Sequence, residues 1–268
     1  TAANYGDIGT EAVDMSYSSS SSSTKGATGD YSTAMGNATT ASGNYSTAMG
    51  NATTASGEGS TSMGLSTTAS GEGSTAMGKN TTASGHSSTA TGYSTTASGT
   101  NSTTMGYSTT ASGSNSIAMG RSTTASGSYS TATGRSTTAS GSYSTSMGQN
   151  TIASDYGSLV MGKYNSVGSS VTTNGSATAF DTDNSAFVIG NGTASGSESD
   201  ALVVYSSGNA TLGGDLTVSG NDITFGNAET ISNSSDGTLA ITAPATTISG
   251  TLTVSGETDF GDAAITGY

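Results

Sequence analysis

A parallel β-solenoid built from fourteen-residue coils is the fold class that this sequence predicts, and three observations predict it. "YSTAMGNATTASGN" at residues 31–44 is followed at once by "YSTAMGNATTASGE" at 45–58, and variants of the unit continue for ten copies starting at 31, 45, 59, 73, 87, 101, 115, 129, 143 and 157. Glycine holds the sixth position of every copy: Gly36, Gly50, Gly64, Gly78, Gly92, Gly106, Gly120, Gly134, Gly148 and Gly162. The thirteenth position is also glycine in the first eight copies, from Gly43 to Gly141, before Asp155 takes the place. Strict repetition at a short period is the signature of a stack of identical structural units.

Each part of the repeat has a role in such a coil. The two glycines mark two turns, since glycine supplies positive φ at low steric cost. Between them lie "STAM" and "ATTA", short and rich in threonine, which predict two strands per coil. Stacked coils would pair each strand with its copy about 4.8 Å away, in long parallel ladders. The only proline, Pro244, lies outside the array, so no ladder there loses a donor. Period-two alternation with the fifth position inward would also direct the third, ninth and eleventh inward, which in the first copy are Met35, Thr33, Thr39 and Ala41. Eight of the nine methionines occupy that fifth position: Met35, Met49, Met63, Met77, Met105, Met119, Met147 and Met161. They are expected to form a structural core of pliable apolar fillers rather than a metal or oxidation site.

Composition limits what such a chain can do. Of its 268 residues only 31% are hydrophobic, with no Trp and no Cys, so a conventional globular core is not expected. One Met, one Ala and two Thr per coil is a thin core against the backbone entropy of fourteen ordered residues, and this argues for several chains covering one another's coils. The net charge of −13 with only five Lys and Arg excludes a nucleic-acid partner, because phosphate binding needs a basic footprint. No apolar run approaches the ~20 residues of a membrane-spanning helix, so the chain is expected to be soluble, without direct membrane insertion. It opens "TAANYGDIGT" without Met, which points to a processed or excised chain.

Four regions follow. Residues 1–30 are a Ser-rich N-terminal segment entering the first coil, with "SYSSSSSS" at 16–23. Residues 31–168 are the repeat array. Residues 169–213 form a transition or connector β-region. Residues 214–268 form a second repetitive β-region, in which "GDLTVSGN" at 214–221 returns as "GTLTVSGE" at 250–257. Twelve of the eighteen acids and all four Phe lie in residues 155–268.

"NSIAMG" at 115–120 with "TTASG" at 123–127 resembles the head repeat of YadA-like trimeric autotransporter adhesins, a fourteen-residue unit built around "NSVAIG" and a following "A.G". The resemblance covers about residues 27–168. It implies a left-handed parallel β-roll with three chains side by side on a bacterial surface. Most copies here carry Thr where the family prefers Val and Met where it prefers Ile. "DNSAFVIGNGTASGSESDALVV" at 183–204 resembles the segment joining head-like repeats to later modules in phage tail fibres and bacterial surface fibres. Together the two imply an extracellular fibre subunit, on a cell or on a phage-like appendage.

Chemistry is sparse. His86 is the only histidine, at a turn position, and without Cys it is the one candidate base for a nucleophile system, so the expectation is a surface residue and no catalytic site. "DTDNS" at 181–185 lacks the glycine and closing glutamate of a calcium loop, and Asp181 and Asp183 are expected to be loop residues. No metal or cofactor is expected. Variation concentrates at the first and seventh positions, where Tyr31 and Tyr45, Tyr93 and Tyr107, Arg121 and Arg135, and Tyr129 and Tyr143 recur in adjacent copies. Such ladders would bind glycans or a protein surface, or serve cross-coil packing and trimer contacts. Three functions stay open on these grounds: an adhesive homotrimeric fibre, a purely structural self-assembling filament, and an ice-binding solenoid with threonine arrays.

Overall fold

The computed structural model describes residues 6–19, 22–168 and 174–218. The chain divides into two compact units, Thr1–Leu216 and Thr217–Tyr268. The second repetitive β-region expected at 214–268 lies almost wholly outside the described residues.

The first unit is an all-β parallel solenoid with fourteen-residue spacing, as the sequence predicts. Each rung contributes a five-residue strand and a two-residue strand, Thr33–Asn37 and Thr40–Ala41 in the first copy. The long strands stack in register, Met35 beside Met49 and Gly36 beside Gly50, and the short strands do likewise, Ala41 beside Ala55. Two sheets result, one of ten strands, all parallel, and one of fourteen, parallel through the repeats.

Backbone groups find partners in both directions along the stack. Strand residues donate to the following rung: the Thr47 N–H to the Ser60 carbonyl at 2.8 Å and the Thr54 N–H to the Thr67 carbonyl at 2.9 Å. The corner residues at positions one and eight adopt the left-handed conformation, Tyr45 at φ 59° and Ala52 at φ 53°. That turns their N–H groups to the preceding rung, Tyr45 to the Asp30 carbonyl and Ala52 to the Asn37 carbonyl, both at 2.8 Å. A coil with so little apolar material thereby leaves few backbone groups orphaned.

The two glycine columns differ in purpose. Sixth-position glycines lie at φ between +102° and +129°, where an L side chain is strained. Thirteenth-position glycines are absent from the positive-φ residues, so the turn argument fails for them. They are required instead by close approach, since a Cβ on Gly85 would fall within 3.0 Å of the Gly99 and Ser98 carbonyl oxygens of the next rung.

The methionine column is not the core of the coil. Ser32, Ala34, Thr39 and Ala41 are buried to within 1% exposure, so on the long strand the second and fourth positions point inward, not the third and fifth. Met35, Met49, Met63, Met77, Met119, Met147 and Met161 are half-buried on the outer face of the fourteen-stranded sheet, and Met105 is 45% exposed. Thr33 shares that outer face. The physical reason is width: the space between the sheets admits Ala, Ser and Thr, and columns of buried alanine from Ala27 to Ala153 fill it. Where the fourth position is serine, its hydroxyl meets the ninth-position threonine, as in Ser62 with Thr67 at 2.7 Å and Ser146 with Thr151 at 2.8 Å. In the other rungs threonine hydroxyls such as those of Thr81 and Thr95 are buried without a partner.

The stack begins before the first recognisable copy. Val13–Tyr17 pairs with Thr33–Asn37, and Gly26–Ala27 pairs with Thr40–Ala41. Tyr17 and Gly26 are nine positions apart where Asn37 and Thr40 are three, so the Ser-rich stretch is a six-residue insertion within a rung. Met15, the ninth methionine, falls beside Met35 and extends the outer column.

At the other end the ladder is closed by side chains. Among the described residues the short strand Ile152–Ala153 has no strand beyond it in its sheet, and the buried Asn165 takes that place. Its Oδ1 accepts from the Ile152 N–H at 2.8 Å, and its Nδ2 donates to the Ile152 carbonyl at 2.9 Å and the Val167 carbonyl at 2.8 Å. The Asp200 carboxylate accepts from the N–H groups of Ser166 and Val167 at 3.0 and 2.7 Å. Asp155, in the thirteenth position and fully buried, accepts from the Ser185 N–H at 2.8 Å and its hydroxyl at 2.6 Å. The long-strand sheet meanwhile continues through Ser185–Asn191, parallel to Leu159–Lys163, and then turns antiparallel through Asp200–Tyr205 and Ala210–Leu212. Val160, Val188 and Val203 give this end a wider apolar core.

Candidate functional site

Side chains available to a partner lie on the outer faces and at the corners of the coil, because the interior is sealed. The seventh position ends the long strand directly after the sixth glycine and projects an exposed column. In register along the stack it runs Lys79, Tyr93, Tyr107, Arg121, Arg135, Gln149 and Lys163. The rings of Tyr93 and Tyr107 stack with centroids 5.0 Å apart and planes 5° from parallel. The Lys79 ammonium stands 5.5 Å from the Tyr93 centroid, and the Arg121 guanidinium 5.7 Å from that of Tyr107. Cations over aromatic faces attract the ring quadrupole, so Lys79, the two rings and Arg121 form one cation–aromatic ladder. Lys163 repeats the motif with Tyr164 at 5.6 Å.

The first position forms two separate aromatic stacks. Tyr31 and Tyr45 lie 5.1 Å apart at 3°, and Tyr129 and Tyr143 lie 4.8 Å apart at 4°, with Tyr156 edge-on to Tyr143 at 5.4 Å. All four stacked rings are at least 47% exposed. Gly59, Gly73, Ser87, Asn101 and Asn115 separate the two stacks. Of the eight corner residues singled out in the sequence, Tyr93, Tyr107, Arg121 and Arg135 therefore share one column. Tyr31, Tyr45, Tyr129 and Tyr143 do not join it. Sequence reasoning left Lys79 and Lys163 out of the set, although their seventh position in the repeat was the signal that places them there.

His86 is exposed at a turn, with Nε2 3.7 Å from a Glu72 carboxylate oxygen and Nδ1 3.0 Å from the Ser87 hydroxyl. Asp181 accepts from the Asp183 N–H at 3.0 Å, a local turn bond. A shallow groove of about 480 Å³ opens beside the Asn165 cap, lined by hydroxyls, amides and one acid, Glu198. A hydrogen bond from the Gly196 N–H at 2.9 Å holds the Glu198 pKa below its ordinary value. Its lining holds no imidazole and no second carboxylate, and so no acid–base pair.

Comparison with known families agrees with this architecture. Residues 27–53, 55–81, 83–109, 111–137 and 139–165 each match the family described as YadA head domain repeat, two copies to a match, and together they cover half of the chain. No curated protein matches the chain.

Proposed function

The chain belongs to the YadA head domain repeat family, and from that membership we propose that it is a non-enzymatic, extracellular subunit of a homotrimeric adhesive fibre on a bacterial surface. The family itself is one of structural adhesins. One observation carries the trimeric part: the outer face of the fourteen-stranded sheet bears a largely apolar column. Met15, Met35, Met49, Met63 and Met77 stand in successive rungs, threonine replaces methionine only at Thr91 and Thr133, and Ile189 continues the column beyond Met161. Third-position residues Val13, Ile117 and Leu159 widen it. A largely apolar stripe some eleven rung spacings long, roughly 50 Å, is what a soluble surface normally covers with another chain. Three copies meeting along this stripe would form the core that each coil lacks.

Fibre and adhesion follow from the same economy. Ladder bonds let the array grow without a broad core, and outer corners remain free to vary from rung to rung and meet a target. The segment 183–204, which resembles tail-fibre connectors, is compatible with the same architecture on a phage-like appendage. Beads coated with the purified chain should attach to host-cell or glycan-coated surfaces more than albumin-coated beads do. Equal attachment would remove the adhesive role and leave a purely structural filament.

A second reading, ice binding, draws on one feature. Tenth-position threonines face outward in eight successive rungs from Thr40 to Thr138 on the ten-stranded sheet. Their neighbours in that face are serines at position twelve, so the array is half threonine. Absence of thermal hysteresis in the purified chain would dismiss it.

A further inference from the structure

Four of the five cationic side chains of the whole sequence, Lys79, Arg121, Arg135 and Lys163, fall in the single seventh-position column, in a chain of net charge −13. No acid shares that column: its other members from the first copy onward are Asn37, Asn51, Leu65, Tyr93, Tyr107 and Gln149. The four cations are exposed, and among the described residues the sole ion pair joins His86 to Glu72 instead. Arg121 and Arg135 stand in adjacent rungs, where like charges repel unless an anion comes between them.

We propose that this column binds an anionic polysaccharide, a linear chain of uronate or sulfated sugars lying along the solenoid axis. The inference rests on the adhesive reading above and names the ligand class for it. A linear array of cations matches a linear polyanion, and carboxylate or sulfate groups would sit against Arg121, Arg135 and Lys163. The paired faces of Tyr93 and Tyr107 offer flat apolar surface to the C–H faces of sugar rings between charges, with a hydroxyl at the rim. The negative charge of the remaining surface disfavours polyanions elsewhere, so binding is confined to the column. Single-stranded nucleic acid shares the need for cations and rings, but its successive bases need successive stacking platforms, and the column offers one ring pair, Tyr93 and Tyr107.

The test is surface binding of the full chain to immobilised heparin and polygalacturonate, with neutral dextran and single-stranded DNA alongside. Saturable binding to at least one polysaccharide, weakened by added salt and absent on dextran, is expected. Arg121→Gln with Arg135→Gln should lower affinity about tenfold, as two exposed charge contacts are removed. Tyr93→Ser with Tyr107→Ser should lower it too, whereas Tyr31→Ser with Tyr45→Ser should not. Circular dichroism and solution mass should be unchanged in every variant. The proposal is overturned if neither polysaccharide binds, if DNA binds as tightly, or if Lys79→Gln, Arg121→Gln, Arg135→Gln and Lys163→Gln combined leave affinity intact. Loss of the oligomer in that variant would also overturn it, by making the column a contact between copies. Bead attachment without polysaccharide binding would sink this ligand class while the adhesive reading stands.

Discussion

Gly85→Ala isolates what the thirteenth-position glycine does. Gly85 lacks a positive φ, so the added methyl carries no conformational penalty of its own. Its Cβ would lie within 3.0 Å of the Gly99 carbonyl and the Ser98 oxygen, all of them backbone atoms that no rotamer change can move. The rungs must part, which stretches the bonds from the Ser84 and Gly85 N–H groups to the Ala97 carbonyl of the next rung, now 2.9 and 3.3 Å. Two weakened hydrogen bonds at about 1 kcal/mol each, with about 1 to 3 kcal/mol of local overpacking, give a loss of about 3 to 5 kcal/mol. Gly59→Ala is the internal comparison: Gly59 has φ +62° and nothing within 4 Å of its Cβ position, so only the left-handed strain of about 1 to 2 kcal/mol applies. Urea unfolding followed by circular dichroism, at one protein concentration, measures both. Because each rung touches only its neighbours, a mid-array break should also split one transition into two. A Gly85→Ala variant within about 0.5 kcal/mol of Gly59→Ala, unfolding in one step, would refute the close-approach argument.

Three further outcomes follow from the packing. Thr81→Val and Thr95→Val replace buried hydroxyls that lack partners, and each should raise stability by about 1 kcal/mol in the same unfolding assay. Asn165→Ala removes the amide that closes the short-strand ladder and should cost about 2 to 4 kcal/mol, with faster hydrogen exchange at Ile152 as the local sign. Ala76→Leu, inside the coil, should destabilise by about 1 to 3 kcal/mol or prevent folding, whereas Met77→Leu, one residue on and outside, should change stability by less than about 1.5 kcal/mol.

The period and the glycine columns made the solenoid legible, because backbone ladders set the spacing and glycine alone fits where rungs approach. The phase of the long strand was not legible from hydrophobicity. Met35 is the most apolar residue of its strand and alternation permits either phase, so the sequence favoured methionine inward. The deciding evidence is size: the fourth position stays small, Ala34, Ser62, Ala76 or Thr104, until the core widens at Val160, while the third accepts Ile117 and Leu159. Met15 escaped the alignment because a six-residue insertion separates the two strands of its rung. The Asn165 cap and the Asp155–Ser185 bond pair residues 13 and 30 positions apart at a place where the repeat lapses, and no periodic signal reports such singular contacts. The seventh-position cations were legible as one set from their shared place in the repeat, and the strand register shows them as one column.

The mass of the full chain in solution, by light scattering coupled to size exclusion, tests the central claim most directly. Three times 25.8 kDa in an elongated particle, falling to a single chain when Met49, Met63 and Met77 are changed together to Ser, is the predicted result. A monomer of 25.8 kDa that keeps its outer methionine face in water would contradict it.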